Sequence, residues 1–143
     1  MKTLRDLAEA VRDGSRLEIE LGNFLDTFYL RPDEKSVQER PDLLNGEHPQ
    51  GPVIDALLAA VAEHLCRRFS LPSPGWAYES CRYLDRPFFA MKAPSFRATL
   101  LLESPMEFRS RNLFVTANAL SRASEHASRK TAAVVESDAN DHG

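Results

Sequence analysis

No stretch of this 143-residue chain is apolar enough to cross a bilayer; the longest run without a polar residue, Ala56 to Ala62, is far too short. The first residues, MKTLRDLAEAVRDG, are charged throughout and lack the apolar core of a secretory signal. Together these absences predict a cytoplasmic protein with no membrane partner. Cysteine is scarce: Cys66 and Cys81 suit reduced thiols better than a disulfide framework. The 4 histidines, at 48, 64, 126 and 142, are scattered, and no Cys/His set has metal-site spacing. His64 and Cys66 lie two apart, so a straight helix cannot aim both at one ion. There is no phosphate-binding glycine loop, no GxSxG elbow and no dinucleotide fingerprint. The expectation is a noncatalytic protein with no cofactor and no metal.

What is present is an ordinary globular composition, 43% hydrophobic and 27% charged, on a chain long enough for one domain with a real core. Charge is unevenly spread. Residues 1–50 carry 7 basic and 11 acidic groups, whereas residues 82–122 carry 7 basic and 3 acidic ones, inside a chain of net charge −3. A basic segment in an acidic protein can meet an acidic partner or nucleic acid, or it can pair with the protein's own acidic half.

The periodicity is helical. Leu4, Leu7, Ala8 and Val11 make one stripe of a first helix over Thr3–Asp13, with Gly14 just past its end. Ser15 and Glu18 have the form of a capping box for a second helix, which carries Leu17, Leu21, Phe24, Leu25 and Phe28 and stops before Pro32. Residues 31–51 are polar and rich in proline and glycine. They read as a long solvated loop holding at most one helical turn near Asp33–Glu39. Pro52 opens a broad apolar helix with Arg67 and Arg68 in its last turn, the central core helix of the fold. Leu71–Pro94 is irregular. A further helix runs from Pro94-Ser95 to Glu103, with Leu100 and at least one of Leu101 and Leu102 facing inward.

At Ser104-Pro105-Met106-Glu107 the chain has the form of a new helix start: Ser104 caps, proline ends the preceding helix, and Glu107 reaches back. This predicts a sharp corner, with Phe108 inside and Arg109 and Arg111 near its edge. Asn112 suits a left-handed cap, Leu113-Phe114-Val115 an extended bridge, and Thr116 the start of a last helix with Ala119, Leu120 and Ala123. The predicted fold class is all-α: a single compact domain of five to six helices over residues 1–123, with a disordered tail over 124–143.

Charge alternates with aromatic residues from Trp76 to Phe89, and arginines return at the corner. Arginine and aromatic side chains concentrate binding energy at interfaces, so Trp76, Arg82, Arg86, Arg109 and Arg111 are the candidate partner contacts. A helix-turn-helix at 95–111 would instead offer Arg97, Arg109, Arg111 and Arg122 to nucleic acid, as in a regulator of its own operon. A third possibility is that Arg109 and Arg111 hold the fold together by pairing with acids or carbonyls.

The run PFFAMKAPSFRATLLLESPMEFRSRNLFVTANALSRA, residues 87–123, resembles a pattern in small bacterial proteins of unknown biochemical activity. Those proteins resemble antitoxin-like partners of nucleotidyltransferase-fold proteins encoded beside them. The shared features are Glu103-Ser104-Pro105, Phe108-Arg109, Arg111 to Val115 and Ala119-Leu120. The resemblance implies a toxin–antitoxin setting in which the chain binds and restrains a neighbouring enzyme. It supplies no contact residues.

Overall fold

A computed structural model describes residues 2–90, 97–117 and 119–122. Its centre is an 18-residue helix, Gly51–Arg68, here α4. Ile54, Leu58, Val61 and Leu65 are buried on it together with Ala56, Ala59, Ala60 and Ala62, so small and large side chains are packed around most of its circumference. Pro52 stands in its first turn, and Arg67 and Arg68 in its last. Around it are α1 (Leu4–Arg12), α2 (Leu17–Leu30), the single turn α3 (Lys35–Gln38), α5 (Arg97–Glu103) and α6 (Met106–Arg109). Two 3₁₀ turns, Gly75–Tyr78 and Ser80–Arg82, and a two-residue parallel pair complete the described residues. In that pair β1 (Phe88–Phe89) lies beside β2 (Leu113–Phe114), with Phe88 opposite Leu113. The architecture is all-α, as the periodicity predicts.

Local rules explain the helix ends. Thr3 caps α1 by accepting from the Asp6 N–H at 3.1 Å, and the Asp6 carboxylate returns the bond to the Thr3 N–H at 3.0 Å. At the other end Gly14 takes φ +114°, a left-handed conformation. This lets the Gly14 N–H reach Val11 O and the Ser15 N–H reach Ala10 O, the paired closure of a Schellman turn. The predicted box at Ser15 and Glu18 does not form. Arg16 is the cap of α2 and makes no side-chain cap bond, and the Ser15 N–H that a capping-box glutamate would accept goes to Ala10 O instead.

The 31–51 connection is not a free solvated loop. Val37 and Leu44 are fully buried in it. The Asp55 carboxylate, one turn into α4, accepts the N–H groups of Leu44 (2.7 Å) and Asn45 (3.2 Å). Burial pushes the Asp55 carboxyl up, and these two bonds pull against that shift. A Cβ on Gly51 would strike the Leu44 carbonyl, so the loop can lie against the start of α4 only because glycine stands there.

The chain turns between α5 and α6, as expected of a Ser-Pro corner. Phe108 is buried and Asn112 adopts the expected left-handed conformation, φ +62°. The cap differs. Pro105 holds the N-cap position without a side-chain bond, and Glu107 does not reach back; its carboxylate lies 3.5 Å from His64 Nδ1. Ser104, 3% exposed, accepts the Val115 N–H at 2.8 Å, and its hydroxyl proton has Leu100 O at 2.5 Å and Val115 O at 2.9 Å to choose from. It therefore ties the end of α5 to the residue after β2. Ser104→Ala is expected to cost about 1–3 kcal/mol by stranding a buried N–H, more than the loss of a surface cap, measured by urea unfolding against the native chain.

The last helix predicted from Thr116 is a turn in the described residues, closed by Ala119 N–H to Thr116 O. Leu120 packs inward, and its carbonyl accepts the Tyr29 hydroxyl at 2.6 Å. The predicted helix start at Pro94-Ser95, the contribution of Ala123 and the tail 124–143 lie outside the described residues. No helix among the described residues is long and apolar enough to cross a membrane.

Candidate functional site

The arginines of the basic segment fall into two groups, and the division decides what the segment can do. Arg111 follows α6 and is 0% exposed. Its Nη1 donates to Glu63 Oε1 and to Glu107 O, and its Nη2 to Ala77 O, each at 2.8 Å. Its guanidinium lies over the Tyr83 ring at 4.7 Å and the Tyr78 ring at 5.8 Å. One side chain thus joins α4, α6 and the first 3₁₀ turn. The Tyr78 hydroxyl completes this cluster: a bond with Ser73 lowers its pKa, but burial and a bond to Glu63 outweigh it and hold the group above its ordinary value.

Arg82 is built the same way and is also 0% exposed. It donates to Pro41 O (2.7 Å), Asp55 O (3.2 Å) and Glu79 Oε1 (3.1 Å), with its guanidinium 4.7 Å from the Trp76 ring centre. Trp76 itself is buried and gives its indole N–H to Val37 O at 2.9 Å. The expectation that Trp76, Arg82 and Arg111 are partner contacts is therefore corrected. All three are turned inward, because the irregular segments they hold leave backbone carbonyls that need donors and a guanidinium can satisfy several at once. The structural alternative holds for Arg111 and not for Arg109.

Arg86, Arg97 and Arg109 are exposed and make no ion pair among the described residues; Arg97 rests over the Phe89 ring at 5.3 Å. Arg122 is exposed but engaged, with two bonds of 3.0 Å to the Asp26 carboxylate. Of the four residues offered to nucleic acid, Arg97 and Arg109 remain open. α6, with 4 residues, is shorter than a helix that lies along a groove.

The feature that sequence reasoning missed lies between those two arginines. On α5 only Leu100 is buried; Leu101 is 47% exposed and Leu102 82%, and Met106 at the start of α6 is 48% exposed. Three consecutive leucines point about 100° apart on a helix, so one inward leucine leaves its neighbours to find other surroundings. Leu101 stands four residues after Arg97, and Arg109 three after Met106, spacings that put each arginine on the face of an apolar neighbour. The segment around the corner therefore exposes leucine, methionine and arginine side chains close together in sequence.

The remaining reactive groups are quiet. Cys66 is buried, and that burial pushes its thiol up to about 11; Cys81 is exposed, and both are free. His64 packs edge-on against Phe108. No group of three or more His, Cys, Asp or Glu side chains is placed to hold a metal ion among the described residues. Compared with known proteins, the chain matches no protein-family model, no curated protein and no solved structure.

Proposed function

We propose that this chain is a noncatalytic protein-interaction module that binds and restrains a partner enzyme, as an antitoxin or accessory regulator. The observation that carries the reading is the exposed apolar corner of α5 and α6, with Leu101, Leu102 and Met106 in solvent and Arg97 and Arg109, flanking them in sequence, exposed and without an ion pair among the described residues. Neighbouring exposed large apolar side chains mark interaction sites more often than scattered ones do, and arginine is enriched where such sites bind. The resemblance over residues 87–123 covers this same corner and suggests the partner: a nucleotidyltransferase-fold toxin encoded by an adjacent gene. The partner contacts on this reading are Leu101, Leu102, Met106, Arg97 and Arg109, with Arg86 nearby in sequence to β1.

The test is co-expression with the products of the adjacent genes. The native chain is expected to co-purify with one of them and to relieve its effect on growth. Leu102→Asp, at the most exposed apolar position, is expected to lower affinity at least about tenfold while leaving the melting temperature unchanged. Absence of binding to either neighbour, with no growth effect on co-expression, contradicts the proposal.

A further inference from the structure

The apolar faces of two helices stop short of full burial at the same place. Leu17 and Leu21 stand four apart on α2, and Val53 and Leu57 four apart on α4, so each pair shares a helix face. All four are only partly buried, as is Phe88 of β1, and all five line one cavity of about 630 Å³. Leu113 and Val115 complete its apolar wall. The volume falls in the range of about 300–1,000 Å³ typical of small-molecule sites, whose lining is mostly apolar with a few polar groups.

The polar lining comes from two short segments: Ser15, Arg16 and Glu18 at the start of α2, and His48 and Gln50 just before α4. It holds donors and acceptors together. Its charges are Arg16 and Glu18, of opposite sign, 3.9 Å apart and about three-quarters exposed to water. His48 Nδ1 accepts the Gln50 N–H at 2.9 Å, as the neutral ring does. The lining therefore carries no net charge. An ionised head group would find no unopposed partner there, and its desolvation costs far more than that of an uncharged one. A hydroxyl both donates and accepts, which suits a mixed lining. We propose that this cavity binds an uncharged aliphatic molecule of the alcohol class, held by its chain against the leucine and valine walls. This site is separate from the α5–α6 corner and does not depend on the partner proposed there.

The test titrates the full chain with octanol at neutral pH and follows its methyl resonances, with hexanol, octanoate and octylamine as matched probes. One octanol per chain is expected, with saturating shifts at Leu21, Val53, Leu57 and Val115. Hexanol, shorter by two methylenes, should bind roughly tenfold more weakly, because the walls supply the affinity. Octanoate and octylamine should each be weaker than octanol by about tenfold or more. Arg16→Gln combined with Glu18→Gln, at exposed positions, is expected to leave the octanol affinity within about twofold, and Leu57→Trp to fill the cavity and abolish binding. Should Leu57→Trp fail to fold, the methyl shifts and the probe series of the native chain still decide. No saturable octanol binding, shifts spread over other methyls, equal binding of hexanol, either ion binding as tightly as octanol, or a tenfold loss in the double variant would each overturn the site. So would contacts in the free chain between these methyls and residues 123–143, since the cavity would then be filled by the chain itself.

Discussion

Replacing Arg111 by alanine is expected to destabilise the protein by about 3–5 kcal/mol, seen as a melting temperature lower by roughly 10–20 °C. The guanidinium is fully buried, and removing it leaves the Glu63 carboxylate without its cation and the carbonyls of Ala77 and Glu107 without a donor. An uncompensated buried charge costs more than the intact pair contributes, so the expected loss exceeds that of an ordinary hydrogen bond. Lysine is expected to recover less than half of it. Its single ammonium can reach Glu63 or the carbonyls, but it lacks the fork whose two nitrogens address all three acceptors and the flat face that lies over Tyr83. Removing both charges, as Arg111→Met with Glu63→Leu, should be milder than Arg111→Ala alone, because no charge is then stranded.

The second large effect is expected at Arg82. Arg82→Ala removes the donor shared by Pro41 O and Asp55 O and opens the space over Trp76, at an expected cost of about 2–4 kcal/mol by chemical unfolding. It should also change the acid limb of the stability curve. Burial pushes the Glu79 carboxyl up, but hydrogen bonds from Arg40 and Arg82, and their charges, outweigh it and hold the group below its ordinary 4.5. A carboxyl whose folded pKa is depressed contributes stability above its unfolded value and loses it as the pH falls through the lower folded one. Without Arg82 the Glu79 pKa moves back up and that contribution shrinks. The gap between native chain and variant should therefore narrow on acidification below pH 4.5.

What was legible in the sequence is what periodicity and local stereochemistry control. The stripe Leu4–Leu7–Ala8–Val11 is buried as predicted, Gly14 has the conformation that ends α1, and α4 occupies the centre because its apolar residues cover most of its surface. The Ser104-Pro105 corner was legible as a break, since proline interrupts a helix whatever surrounds it. The partner of Ser104 was not. A hydroxyl can cap the next helix or bond a strand that packs beside it, and only the tertiary fold brings Val115 within reach. The arginines were misread for the same reason. Arg82 and Arg111 find acceptors 41 and 48 residues away in sequence, at Pro41 and Glu63, so no local pattern separates them from the exposed Arg86 and Arg109. The Leu100-Leu101-Leu102 run did hold a signal, because helical geometry cannot send all three inward. Its outward members, Leu101 and Leu102, stand in solvent.

The account rests on this division between arginines that hold the fold and a leucine corner that stands in solvent and is proposed to meet a partner. Thermal unfolding of Arg111→Ala beside Leu102→Asp tests it most directly. The predicted result is a melting temperature lower by roughly 10–20 °C for Arg111→Ala and unchanged for Leu102→Asp. The opposite order, with Arg111→Ala melting like the native chain and Leu102→Asp unfolding early, would place Leu102 in the core and Arg111 at the surface, and would contradict the account.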